Sequence, residues 1–137
     1  MVAVVVAVAF VVAIREWSTA PRQPSDDVVK AEYLRISPPA GTQTGKAYEV
    51  HSKHGAISVT NRHLARISAE SVLGEYRKVL TQNGWKYRAD FSDGRHWGED
   101  YCKGNLLASV EIMKDQGQQA EYVFSVSWSG VSERECS

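Results

Sequence analysis

An unbroken run of thirteen apolar residues, Val2 to Ile14, limits what the start of this chain can fold into. Such a run has no polar face to turn towards water, so it needs an apolar environment on all sides. As a helix it would cover roughly 20 Å of a hydrocarbon core that is about 30 Å thick. Arg15 and Glu16 would then lie at the interface, next to Trp17 as an aromatic anchor. We therefore predict that residues 1–17 form an uncleaved hydrophobic anchor.

Two alternatives to the anchor remain open. The first is a cleaved signal peptide, because the apolar length suits a signal h-region. No Lys or Arg precedes the run, however, and the best small-residue site, Ser18 to Ala20, is followed by Pro21. Proline there lacks an amide hydrogen and has a fixed φ angle, which disfavours cleavage. The second alternative is a buried strand or helix of the domain itself.

The sidedness of the anchor depends on two arguments that conflict. Arg15, Arg22 and Lys30 follow the run, and the positive-inside rule would place them in the cytoplasm. The similarity of the run to a signal-anchor instead favours export. We expect a single-pass protein of the inner membrane whose domain is extracytoplasmic.

The remaining chain has the length of one domain. Residues 18–27 contain two prolines and no apolar period, which predicts a flexible tether. Residues 28–129 are predicted to form the domain, and residues 130–137 a C-terminal tail that frays unless Cys136 holds it. Within the domain, Val28 to Ile36 is interpreted as a first strand, with a short helix as the alternative.

The best-defined element is a helix over Ala69–Gln82. Its apolar residues recur at helical spacing: Val72, Leu73, Tyr76, Val79 and Leu80. Ser68 is a suitable N-cap, and Asn83-Gly84 is a typical stop signal because glycine readily adopts a left-handed conformation.

Alternating apolar residues predict strands before and after this helix. The segments are Lys46–Ser52, Ala56–Arg62, Trp85–Phe91, Trp97–Lys103, Leu106–Lys114 and Glu121–Ser129. An α+β fold, with an antiparallel sheet and one helix packed on one face, satisfies this order with short connections.

Several short segments of the domain resemble small bacterial envelope-associated proteins. They are Leu80 to Trp85, Trp97, Tyr101 to Gly104 and the final Ser127-Trp128. The resemblance implies an N-terminal membrane anchor joined to a single α+β domain. It implies no catalytic residue, because the shared residues are mostly at helix ends and in packing positions.

Charge and motifs exclude several classes of function. The chain has 16 basic and 16 acidic residues. It therefore lacks the excess of positive charge that is expected of a nucleic-acid-binding protein, and we predict no nucleic-acid partner. His51 and His54 lie in a predicted strand and turn, and His63 and His96 are far away in sequence. We therefore predict no metal site and, in the absence of a phosphate-binding motif, no cofactor.

The polar loop of residues 93–101 is the candidate binding site, because functional residues often lie on loops held by a rigid sheet. Arg95, His96 and Trp97 are its candidate ligand-binding residues. Cys102 and Cys136 can form one disulfide in an oxidising compartment. A free Cys102 with His96 as its base would instead make a thiol enzyme.

Three functions follow from these observations. The preferred one is a non-catalytic module that is tethered to the membrane through residues 2–17 and acts through an envelope protein partner. The alternatives are a small-ligand sensor or carrier that uses the 93–101 loop, and the thiol enzyme around Cys102 and His96.

Overall fold

A seven-stranded antiparallel sheet is the frame of the domain. The structure, a computed structural model, describes residues 23–137. The helices in these residues are α1 (Asp26–Leu34), α2 (Ala69–Gln82) and α3 (Gly130–Cys136). The strands are β1 (Gln43–Thr44), β2 (Glu49–Lys53), β3 (Ala56–Ala65), β4 (Lys86–Ser92), β5 (Trp97–Lys103), β6 (Leu106–Asp115) and β7 (Ala120–Ser129).

The strand order explains which segments become neighbours. Strands run in the order β1-β3-β7-β6-β5-β4, and β2 also pairs with β3. β4 to β7 form a meander of consecutive antiparallel pairs, whereas β3 joins it through β7. The predicted α+β class with an antiparallel sheet is therefore confirmed.

The two faces of the sheet have different environments, because side chains alternate along each strand. On one face, which we call the covered face, the side chains are buried beneath α1 and α2. Tyr33 of α1 stacks on Phe124 with ring centroids 5.3 Å apart, and Tyr76 of α2 lies 4.9 Å from the same ring. The opposite face, the open face, has half-buried side chains such as Val123 and Ser125.

The helix predicted over Ala69–Gln82 is confirmed at both ends. The Ser68 hydroxyl accepts a hydrogen bond from the backbone N–H of Ser71, at 3.1 Å. Gly84 ends the helix with a φ angle of 86°, which a residue with a side chain rarely adopts. Trp85 then turns back into the core, where it is 2% exposed.

The strand predicted over Val28 to Ile36 is wrong and its short-helix alternative is confirmed, since the segment forms α1. Ser25 caps this helix, so the helix also takes the last two residues of the predicted tether. Val29 and Tyr33, four positions apart, place their side chains on one buried face. The prediction of a single helix is also wrong, because α1 and α3 form in addition to α2.

The predicted C-terminal tail also forms a helix, α3. Ser129 and Ser132 make a reciprocal capping box, and the side chain of Ser132 is buried. The disulfide between Cys102 and Cys136 links the end of this helix to β5. The tail that was predicted to fray unless Cys136 holds it is therefore held by a cap and by this disulfide.

The remaining strand predictions differ from the structure mainly at their ends. The strand predicted from Lys46 begins at Glu49, because residues 45–48 arch over β3 instead of pairing with it. The two-residue strand β1 had no alternating pattern to reveal it. No helix within residues 23–137 is long and apolar enough to span a membrane. The predicted anchor, residues 1–17, lies outside the described residues.

Candidate functional site

The turn between β4 and β5 contains most of the predicted binding loop. One side-chain oxygen of Asp93 accepts hydrogen bonds from the backbone N–H groups of Arg95, at 3.0 Å, and His96, at 2.7 Å. These two bonds, together with a smaller attraction to His96, hold the pKa of the Asp93 carboxyl below its usual value. Gly94 completes the turn with a φ angle of 88°. The turn is therefore fixed by its own acidic side chain.

His96 leaves this turn on the open face and contacts a residue that is distant in sequence. Its Nδ1 atom lies 3.2 Å from a carboxylate oxygen of Glu111 on β6. The same Nδ1 atom lies 4.0 Å from the second oxygen of Asp93. We call Asp93, His96 and Glu111 the turn site.

The three predicted ligand-binding residues do not converge. Trp97 pairs across the sheet with Ile112 and packs against the core of the covered face. His96, one residue earlier, lies on the open face, and Arg95 is exposed at the turn. Adjacent residues of an extended strand point to opposite sides, so Trp97 cannot join His96 in one pocket.

Cys102 and His96 lie at opposite ends of β5. Six residues of strand at about 3.3 Å each separate them by about 20 Å, which is beyond hydrogen-bond reach. Cys102 is also paired with Cys136, so neither sulfur is a thiol. The structure does not bring together the nucleophile and base of the thiol hypothesis.

A row of hydroxyl groups crosses the middle of the open face. Thr60 pairs with Ser125, and Ser109 pairs with the same serine from the other side. The row ends at Asp100, whose carboxylate accepts a 2.7 Å hydrogen bond from the Ser109 hydroxyl. Burial raises the pKa of the Asp100 carboxyl, although this bond and Arg88 oppose the shift.

A cleft of about 710 Å³ lies beside this row, between the arch of residues 45–48 and strands β3 and β7. The arch is fastened because the side-chain amide of Asn61 donates a 2.9 Å hydrogen bond to the carbonyl of Lys46. The lining includes Lys46, Glu49, Thr60, Arg62, Glu121 and Val123. It therefore combines both signs of charge with a hydroxyl and an apolar side chain.

Comparison with known proteins gave no match, whether to a family model, to a curated protein or to a solved structure.

The covered face also contains titratable groups, and both Glu99 and His63 have hydrogen-bond partners. The carboxylate of Glu99, which is 4% exposed, pairs with Arg77 of α2 and accepts a 2.5 Å hydrogen bond from the Tyr101 hydroxyl. His63 is hydrogen-bonded to Thr44 at 2.9 Å and stacks on Tyr122. These groups stabilise the packing of the helices and β1 on the sheet.

Sequence reasoning missed Glu111 and the cleft. Glu111 lies fifteen positions after His96 and becomes its neighbour only through the pairing of β5 with β6. A signal was available, because alternation along Leu106–Lys114 already separated Glu111 from the apolar residues. The cleft depends on the arch, which no periodic pattern encodes.

Proposed function

We propose that this chain is a non-catalytic module, tethered to the inner membrane through residues 2–17, whose open face binds a protein of the cell envelope. The observation that carries the proposal is the cleft on the open face. A sheet of this kind needs only one face for its core, and here α1 and α2 cover that face. The second face is occupied by α3 near the disulfide of Cys102, and the rest of it, including the cleft, has half-buried side chains that a partner can contact.

The chemistry of the cleft favours an extended polypeptide segment as the occupant. Peptide backbones present donors and acceptors in alternation, and the lining offers both kinds of group through the side chains of Lys46, Glu49 and Thr60. Lys46 and Glu49 at the rim add opposite charges, which match a segment with mixed charge. A lipid chain would leave these polar groups without partners.

The membrane tether in this proposal is supported by the apolar run of residues 2–14. The disulfide between Cys102 and Cys136 supports an extracytoplasmic domain, because such bonds persist in oxidising compartments. The thiol-enzyme alternative would need a reduced Cys102 and a base other than His96. The small-ligand alternative is favoured by one specific observation: polar atoms of Asp93, His96 and Glu111 lie within 4.8 Å of one another.

Site-specific photocrosslinking in cells tests the binding role. A photoreactive side chain replaces Lys46 at the rim of the cleft or, as the matched control, Glu75 on the exposed side of α2. We expect a discrete protein adduct from position 46 and none from position 75. Adding the substitution Val123→Glu, which places a charge in the floor of the cleft, should abolish that adduct.

Three results would contradict the proposal. They are the same adduct from both positions, an adduct that persists with Val123→Glu, and crosslinking at position 46 to lipid alone. Circular dichroism of the purified Val123→Glu protein is the control for folding. Val123 is half-buried on the open face, so the substitution should leave the core of the covered face intact.

A further inference from the structure

The turn site combines three side chains of two ligand types that transition metals accept. It offers one imidazole nitrogen and two carboxylate oxygens, and these atoms all lie within 4.8 Å of one another. In the part of the chain that the structure describes, no other set of three His, Cys, Asp or Glu residues meets this condition. This grouping joins a turn and a strand that are not adjacent in sequence.

The distances within the site are close to those of a filled zinc site. Zinc bonds of about 2.0–2.1 Å in tetrahedral geometry place neighbouring ligand atoms about 3.4 Å apart. The His96 Nδ1 atom lies 3.2 Å from Glu111 and 4.0 Å from Asp93, which brackets that separation. All three ligand atoms lie within 4.8 Å of one another, so small movements of the Asp93 and Glu111 side chains would bring them to these separations.

The backbone positions two of these ligands, Asp93 and Glu111. The two backbone N–H groups occupy one oxygen of Asp93 and leave the other oxygen directed towards His96. Gly98 is the partner of Glu111 across β5, so no side chain from that position competes for the space beside the carboxylate. The ligand atoms are therefore held together by the turn and by the register of the sheet.

We propose that Asp93, His96 and Glu111 bind one divalent transition-metal ion of the Zn²⁺ class, with water in the remaining coordination positions. An imidazole with two carboxylates suits such an ion better than Ca²⁺ or Mg²⁺, which prefer oxygen ligands alone. The bound ion would fasten the β4–β5 turn to β6. This inference does not depend on the protein-binding role of the cleft.

The pair of His51 and Glu49 provides a matched control. Its Nε2 to carboxylate distance is 3.1 Å, nearly that of His96 and Glu111, but it lies in an exposed strand and belongs to no triad. A metal that merely associates with exposed histidine–glutamate pairs would bind both places equally. Binding at the proposed site should be weakened by substitutions in the turn site and not by substitution of His51.

Isothermal titration of the metal-stripped full chain in detergent with Zn²⁺ tests the proposal. We expect one ion per chain, with affinity weakened by roughly tenfold or more in each of His96→Gln and Glu111→Gln. Asp93→Asn should weaken binding about as much, because an amide oxygen that keeps the two backbone hydrogen bonds leaves the amide NH2 group, which is not a metal ligand, facing His96. His51→Gln should bind as the unsubstituted chain does.

A second readout separates metal binding from a change in the fold. Addition of Zn²⁺ should raise the unfolding temperature of the unsubstituted chain and of His51→Gln, but not that of His96→Gln. Failure of the unsubstituted chain to bind Zn²⁺ would overturn the proposal. Equal binding by the unsubstituted chain and both His96→Gln and Glu111→Gln would also overturn it.

Discussion

The covered and open faces of the sheet share the same strands but place different chemistry on them. Along β7, Tyr122, Phe124 and Val126 are buried beneath helices, whereas Val123 and Ser125 between them are half-buried on the other face. The covered face is dominated by packed aromatic rings. The open face has hydroxyls, ion pairs, the cleft and the turn site.

This difference separates the residues that stabilise the fold from those available for binding. Buried rings contribute through area removed from water and through close packing, so their loss is costly. Side chains on the open face can change without opening a cavity in the core. The comparison therefore predicts a large and a small loss of stability from substitutions at adjacent positions of one strand.

The largest effect is expected from the pair Phe124→Ala and Val123→Ala. Phe124 is 1% exposed and contacts both helices through Tyr33 and Tyr76, so its truncation should lower the free energy of unfolding by about 3–5 kcal/mol. Val123→Ala should cost less than about 1 kcal/mol, because the side chain is only half-buried. Urea unfolding of both variants measures the two values. Equal losses would contradict the division between the faces.

A smaller effect is expected at two glycines that differ in the space around them. A Cβ atom at Gly98 would lie 1.9 Å from the carbonyl oxygen of Val110 and 2.9 Å from the ring of Phe91. Gly98→Ala should therefore destabilise the fold by about 1–3 kcal/mol, through forced movement of strand backbone. Gly74 in α2 has no atom within 4 Å of such a Cβ.

Gly74→Ala serves as the control for this pair. Alanine is the better helix former, so this variant should gain about 0.5–1 kcal/mol of stability. Chemical denaturation with a common baseline compares the two variants. If Gly98→Ala left the free energy of unfolding unchanged, the expected clash with Val110 and Phe91 would be contradicted.

The smallest effect concerns the pH response of the covered face. Burial lowers the pKa of His63 below its usual value, so the unfolded chain takes up a proton before the folded chain does. Stability should thus be full above pH 6.5 and fall as the pH drops towards the folded pKa, by at most about 1.4 kcal/mol per pH unit. Unfolding curves between pH 7.5 and about 5 should show a smaller decline for His63→Asn. The same decline in both proteins would contradict this assignment.

Part of this architecture could be predicted from the sequence. α2 was predictable because its cap, its apolar period and its stop signal agree, and β6 and β7 were predictable from alternation. α1 was foreseen only as the alternative to a strand, because the β-branched and aromatic residues near Tyr33 favoured a strand over the helix that Ser25 caps. Local propensity is a weak guide in such short segments, where tertiary packing decides.

The candidate site was predictable only in part. The sequence located the loop that contains His96 but grouped that residue with Trp97, which the alternation of the strand sends to the opposite face. Glu111 belongs to the site through strand register, which depends on long-range pairing. The pairing of Cys102 with Cys136 was foreseeable as a feasible bond, but the helix that brings them together was not.

The central claim of a membrane-tethered extracytoplasmic domain is tested most directly by labelling thiols in intact cells. A membrane-impermeant maleimide is applied with and without prior reduction, and its attachment to Cys102 and Cys136 is measured. We predict labelling only after reduction, because the two cysteines would be bridged and outside the cytoplasm. Labelling that requires cell lysis but no reductant would contradict the claim, since it would place free thiols in the cytoplasm.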